Sequence, residues 1–182
     1  MIRDIVYNPE EPLSTVCPYG IFQIFAHVCN NVGKWEGNVA NHIYNEHIKM
    51  RLWNPKILFD NWYVDNVLVA KRLRCLPLGT IQFCNISHTY TIGNMVVVDK
   101  LNDKNDFKYD SFIRCIRTLN EVADKYANTT IISLVDLEKE YGVDERFLIK
   151  EIEKNISKKN EFCLLRNSVE KSLISRLISK VC

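Results

Sequence analysis

The spacing of apolar and polar positions changes repeatedly along this chain, and each change marks a predicted element. Ile2 to Val6 reads as a short strand. Asn8 to Gly20 carries three prolines and reads as a loop. Ile21 to Cys29 is apolar except at Gln23 and His27, the pattern of a buried strand. From Val39 to Trp53 the apolar positions 39, 40, 43, 44, 48 and 52 follow helical spacing, with Asn38 as its cap and Asn54-Pro55 as its stop. Phe59 to Leu73, with Trp62, Val64, Val67, Leu68 and Ala70, fits either a second helix or an insertion packed on the core. Pro77-Leu78-Gly79 is a turn. Thr80 to Ile86 and Tyr90 to Val98 then read as strands joined at Ser87-His88, with Gly93-Asn94 predicting a bulge or a close backbone approach.

The second half repeats the alternation. Tyr109 to Ala127 has a helical period in Phe112, Ile113, Ile116, Leu119, Val122, Ala123 and Tyr126. Thr130 to Val135 reads as a central strand, Val143 to Ile156 as a helix, and Glu161 to Arg166 as a last strand. Ser168 to Val181 reads as a helix capped by Ser168, with Lys171, Arg176 and Lys180 opposite its apolar face. Strands alternating with helices predict a three-layer α/β/α domain around a mixed, mostly parallel sheet.

Composition narrows the class without naming a chemistry. A length of 182 residues suits one domain with a full core. A net charge of +2 gives no reason to expect nucleic acid or an anionic membrane as a partner. No apolar run approaches bilayer length, and the start of the chain lacks a signal-peptide pattern, so the expected location is cytoplasmic. Seven cysteines, at 17, 29, 75, 84, 115, 163 and 182, form no Cys-x-x-Cys pair. They read as reduced thiols, and neither a metal site nor a cofactor is expected. There is no Walker A sequence, no Gly-x-Gly-x-x-Gly and no local nucleophile–base arrangement.

Candidate chemistry concentrates between Ala26 and Ala40. An apolar strand ends abruptly in Asn30-Asn31-Val32-Gly33-Lys34-Trp35-Glu36-Gly37-Asn38, and a helix follows. Strand, polar turn and helix is an arrangement that α/β proteins use to hold a phosphate or nucleotide. His27 lies on the buried strand and reads first as a hydrogen-bonded core histidine, with a catalytic base as the alternative. Lys34 and Glu36 read as a solvated pair. Asp136, Glu138 and Glu140 read as a solvated acidic loop, with a general base as the alternative. Asp99, Asp103 and Asp106 fit a surface loop.

Four local sequences in this order resemble the macro domain family. Ala26-His27-Val28-Cys29-Asn30-Asn31-Val32-Gly33-Lys34-Trp35 resembles its His-x-x-Asn strand end and glycine-rich loop. Leu78-Gly79-Thr80-Ile81-Gln82 resembles its Leu-Gly turn. Gly93-Asn94-Met95-Val96-Val97 resembles the Ala-Asn-Met run of one subgroup, and Lys108-Tyr109-Asp110 with Phe112 resembles the start of that subgroup's long helix. The similarity covers residues 1 to about 165. It divides the chain into a macro-like domain at 1–166 and a C-terminal helical extension at 167–182.

The resemblance implies a pocket for ADP-ribose or an ADP-ribose-derived nucleotide at the C-terminal ends of the strands. The positions it assigns to that pocket are Asn30, Asn31, Gly33, Lys34, Trp35, Gly37, Asn38, Asn94, Met95, Val135, Asp136 and Gly142. Asn31 is also the candidate for orienting a water if the protein hydrolyses an ADP-ribose link. The chain departs from the family pattern at three places. Glu36 and Asn38 replace loop glycines. The second phosphate loop, Asp136 to Gly142, keeps only its last glycine. Tyr7-Asn8 stands where the family has an adenine-contacting aspartate. Lys34, Lys139 or Arg146 could supply charge that backbone amides supply elsewhere. Four functions therefore remain open: binding, sequestration of an NAD-derived immune signal by a viral or mobile-element protein, hydrolysis, and a ligand-free interaction module. Oligomeric state is open as well.

Overall fold

A computed structural model describes residues 2–11, 13, 22–50, 54–69, 74–101, 105–126, 129–157 and 159–167. The predicted helix at 168–181, the C-terminal extension and the cysteines at 17 and 182 lie outside them. Among the described residues seven strands form one sheet: β1 (Ile2–Tyr7), β2 (Gln23–Asn30), β3 (Ile81–Asn85), β4 (Tyr90–Asp99), β5 (Asp106–Phe107), β6 (Thr129–Ser133) and β7 (Glu161–Asn167). Their order is β1-β7-β6-β2-β4-β3, with β5 beside β4. β1, β7, β6, β2 and β4 are mutually parallel, whereas β3 and β5 run antiparallel to β4. The carboxyl ends of all five parallel strands therefore share one edge, where α/β sheets bind ligands.

Helices cover both faces because the strands alternate with a period of two. On one face Ile24, Ala26, Met95, Val97, Ile132, Phe162 and Leu164 pack with α3 (Tyr109–Tyr126) and α5 (Glu145–Asn155) through Phe112, Ile116, Leu119, Leu148 and Ile152. On the other, Phe25, Ile92, Ile131, Cys163 and Leu165 pack with α1 (Asn38–Met50) through Val39 and Ile43. Beside them Cys29 and Val96 pack on Phe59 of α2 (Pro55–Tyr63). A five-residue helix, α4 (Leu137–Tyr141), follows β6. The three-layer α/β/α architecture with a mostly parallel sheet is thus present. Among the described residues no helix is long and apolar enough to cross a membrane.

Local details refine or correct the sequence expectations. Asn54-Pro55, read as a helix stop, also begins α2: Asn54 is extended, its side chain accepts from the Lys56 and Ile57 N–H groups, and Pro55 occupies the first turn, where no N–H partner exists. Of the 59–73 stretch, the described part holds the end of α2 and a π-helical turn at Val64–Val69, in keeping with the second-helix alternative. The irregularity expected at Gly93-Asn94 lies elsewhere. Gly93 pairs in register with Ala26, and the register shifts between Cys29 and Asn30, where β2 turns into its loop. The helix read from Val143 to Ile156 is α5, and it starts at Glu145. Asp144 caps α5 by accepting from Arg146 and Phe147 N–H, and Gly142 closes α4 in the left-handed conformation (φ 65°). Cys29, Cys75, Cys84, Cys115 and Cys163 are free thiols, and all but Cys75 are buried.

Candidate functional site

The loop after β2 is held from within. The Asn30 amide donates to Lys34 O (2.8 Å) and Glu36 Oε1 (2.7 Å), while its oxygen accepts from the Val32 and Lys34 N–H groups. Asn31 is 1% exposed. Its amide donates to Asp99 Oδ1 (2.9 Å) and its oxygen accepts from Lys100 N–H (2.9 Å). The Asn31 bond and the Leu101 N–H hold Asp99 below the usual carboxylate range. Both ends of both asparagine amides are therefore engaged in fixing the turn. Gly33 (φ 71°) lies under the Tyr63 ring: a Cβ there would come within 2.4 Å of it. Trp35 donates its indole N–H to Ala40 O (2.9 Å) and wedges its ring between His27 and Phe59. The Lys34 side chain is exposed. Glu36, expected to pair with Lys34, instead holds Lys100 through both carboxylate oxygens (2.6 and 2.7 Å).

Behind this loop runs a buried polar chain. His27 Nε2 lies 2.7 Å from Asn94 Oδ1, and the Asn94 amide donates to Gln82 Oε1 (2.8 Å). Burial pushes the His27 pKa down to about 4, against weaker opposition from its bonds to Asn94 and Val28. The imidazole is neutral, and with Asn94 offering an acceptor, Nε2 carries the proton. Asn94 and Met95 are fully buried within β4. Both were expected in the pocket, yet neither has an atom at its surface. His27 reads as the core histidine rather than the base.

The second loop brings two carboxylates, Asp136 and Glu140, to the N-terminus of α1. Asp136 has φ 60°, the sole positive φ of a non-glycine among the described residues. Such a conformation costs free energy of order 1–3 kcal/mol and persists where the surroundings hold it. Here they do: Asp136 accepts from the Asn38 amide (2.7 Å) and from the Asn167 amide (3.2 Å). The Asn38 side chain, expected as a helix cap, is committed to that bond instead. Gly37 (φ 96°) precedes the helix and accepts from Asn41 N–H (3.0 Å). Glu140 takes the capping role from outside. Its carboxylate accepts from the Asn38 N–H and from the Tyr141 hydroxyl. Its two oxygens lie 3.5 and 3.7 Å from where a Cβ on Gly37 would be. Burial first, then the charges of Asp136 and Glu36, raise the Glu140 pKa, and the hydrogen bonds offset this in part. Gly142 has open space around it and serves as the α4 cap rather than as a close-approach glycine.

Two cavities result, side by side. The first, lined by His27, Glu36, Gly37, Ser133, Val135 and Tyr141 among others, has only about 20 Å³ of free space, room for about one water. The second has about 620 Å³ and opens between the chain after β1 and the exposed face of α1. Tyr7, Asn38, Asn41, His42, Asn45 and Asp136 form its working wall, with Glu10, Glu11 and Glu46 around them. Tyr7 and His42 make a tilted aromatic pair joined by a 2.8 Å hydrogen bond between Tyr7 Oη and His42 Nδ1. Burial, and then the negative charge of Asp136, keep the Tyr7 phenol protonated.

Of the positions assigned from sequence, Asn38 and Asp136 line the large cavity, and Gly37, Asn38 and Val135 line the small one. Asn30, Asn31, Gly33 and Trp35 build the loop behind. Sequence reading missed Asn41, His42 and Asn45. Their signal was present as a polar stripe at 38, 41, 42 and 45, the spacing of one helix face. Lys139 lines a neighbouring cleft of about 380 Å³ on the far side of Asp136. Arg166, in the same cleft, is neutralised by Glu145 and Asp4. Another cavity of about 660 Å³ lies among Phe22, Phe83, Val122 and Tyr126, away from these loops.

No family model matches the chain, and no curated protein matches it by sequence. Solved structures do. A protein from Bacteroides thetaiotaomicron superposes with a TM-score of 0.66 at 15% identity, covering 91% of this chain and 99% of that one. A macrodomain protein from Streptomyces coelicolor gives a TM-score of 0.62 at 12% identity, over 90% and 98%. The Oceanobacillus iheyensis macrodomain, solved with ADP, gives 0.60 at 14% identity, over 87% and 86%. On these likenesses the chain adopts the macrodomain fold.

Proposed function

We propose that this protein binds ADP-ribose or a nucleoside-containing relative of it, with the nucleoside seated in the cavity between Tyr7 and α1. The observation that carries the reading is the cavity itself. About 620 Å³ lies at the carboxyl ends of the parallel strands, within the size range of small-molecule sites. The Tyr7–His42 pair offers a π-face for a base. Asp136 keeps unused acceptor capacity after its two amide bonds, which suits the hydroxyls of a ribose. Asn41 and Asn45, exposed on the same helix face, supply further donors and acceptors. The ADP held by the Oceanobacillus macrodomain lends support by likeness of fold.

Binding is favoured over hydrolysis by the state of the candidate catalytic groups. Asn31 is 1% exposed with both amide ends bonded, and His27 is buried and neutral. Neither can aim a water at a ligand in the open cavity. A binder that leaves its ligand intact is also what sequestration requires.

The test is calorimetric titration of the whole chain with adenosine, ADP and ADP-ribose, followed by mass analysis of each mixture. Binding of at least one, with the ligand recovered unchanged, supports the reading. Binding with product formation replaces it by a hydrolase. No binding at millimolar ligand overturns it and leaves an interaction module.

A further inference from the structure

At the carboxyl ends of the strands, the open half beside Tyr7 and the closed half beside Glu140 differ in more than volume. The N-terminus of α1 is a place where backbone N–H groups attract an anion, and here that place is taken. Glu140 accepts from the Asn38 N–H and lies over Gly37, the one loop glycine whose side-chain space faces the second loop. Glu36 and Asp136 carry two more negative charges to the same helix end; both raise the Glu140 pKa, Asp136 the more strongly. Lys100 is nearby, but both oxygens of Glu36 hold it. The free space left is about 20 Å³. A diphosphate placed here would displace Glu140 and lie among carboxylates. Among the described residues, the open cavity is lined by the carboxylates of Glu10, Glu11, Glu46 and Asp136 and by no lysine or arginine.

We propose that Glu140 is an internal stand-in for a ligand anion and sets the charge class of the ligand. The site takes a nucleoside without a diphosphate in preference to one that carries it. This inference rests on the binding reading above, and it assigns Glu140 a specificity role rather than a catalytic one. The carboxylate satisfies the helix N-terminus in the empty protein. An uncharged nucleoside leaves that contact in place, while a diphosphate must break it and meet like charge, which strongly suppresses the wrong partner.

The experiment is titration of wild type and Glu140→Gln with adenosine, ADP and ADP-ribose at fixed pH and ionic strength. Gln keeps the side-chain length and an acceptor for the Asn38 N–H but removes the charge, and a thermal melt checks that it folds. Wild type is expected to bind adenosine at least about tenfold more tightly than ADP or ADP-ribose, the scale of one uncompensated like-charge contact. Glu140→Gln is expected to narrow that ratio about tenfold by gaining diphosphate binding, with adenosine affinity little changed. Wild type that binds ADP-ribose as tightly as adenosine overturns the inference while leaving the binding reading intact. So does a ratio that Glu140→Gln does not move. Failure of all three ligands with both proteins removes the binding reading itself.

Discussion

The two halves of the site, beside Tyr7 and beside Glu140, begin from the same sheet edge and end in opposite states. On the Gly37 side, loop residues satisfy one another: Asn30 with Glu36, Glu36 with Lys100, Glu140 with Asn38 and Tyr141. On the Tyr7 side, α1 presents Asn41 and Asn45 to solvent across a wide cavity. The difference follows from side-chain chemistry at few positions. Carboxylates at 36 and 140 fill and neutralise a helix end that glycines would leave open, because an anion at a helix N-terminus is favourable whether it comes from a ligand or from the chain. On the binding reading proposed above, closing one half in this way leaves the other to take the ligand.

The closed half should be the more sensitive to change. Gly33→Ala drives a Cβ into the Tyr63 ring at a positive φ, and a loss of about 3–4 kcal/mol is expected in chemical denaturation. Gly142→Ala, also at a positive φ but with nothing within 4 Å, should cost only about 1 kcal/mol. Equal costs would remove the contrast between a packed and an open glycine.

Acid should act through His27. Its folded pKa lies near 4, below the ordinary 6.5, so the unfolded chain takes up a proton that the folded one refuses. The stability this group supports is present above about pH 6.5 and falls by about 1.4 kcal/mol per pH unit down to about pH 4. His27→Gln should flatten that limb of the pH–stability curve, measured by urea denaturation. A curve of unchanged slope would mean that the imidazole is already charged in the fold.

The open half should show its effects in binding rather than in folding. Tyr7→Ala removes the aromatic wall and its bond to His42, and ligand affinity should drop about tenfold or more. Asp136→Gly is the mildest change for stability, because relief of the left-handed strain offsets the lost bonds to Asn38 and Asn167 to within about 1 kcal/mol. Its affinity for a ribose-bearing ligand should still fall. A variant that binds normally would show that the carboxylate is only a brace.

Much of the fold was legible because buried strands and one-sided helices write their packing into apolar spacing. The α3 stripe from Phe112 to Ala123 and the apolar β2 and β6 strands needed no structure to be seen. Register and boundaries were less legible. Whether a polar dipeptide ends a helix or opens the next depends on its dihedrals, as Asn54-Pro55 illustrates. The bulge fell at Cys29/Asn30 rather than Gly93 because it depends on which residues two strands place opposite each other. At the site, sequence showed that glycines were missing from the second loop but not what replaced their contacts. Asparagines 30 and 31 illustrate the ambiguity well: the same amide that suits a ribose also suits a turn, and here the turn holds both. The α1 stripe was readable by helical periodicity but lacked a known neighbour until Tyr7 was placed across from it.

The central claim is that a ligand enters the Tyr7 side while the Glu140 side stays shut. Backbone amide NMR of the whole chain during titration with adenosine tests it most directly. The account predicts saturable shifts in Asn41, His42, Asn45 and Asp136, with the bond from Asn38 N–H to Glu140 retained. Absence of shifts at millimolar adenosine, or shifts confined to the Phe22–Phe83 cavity, would contradict it.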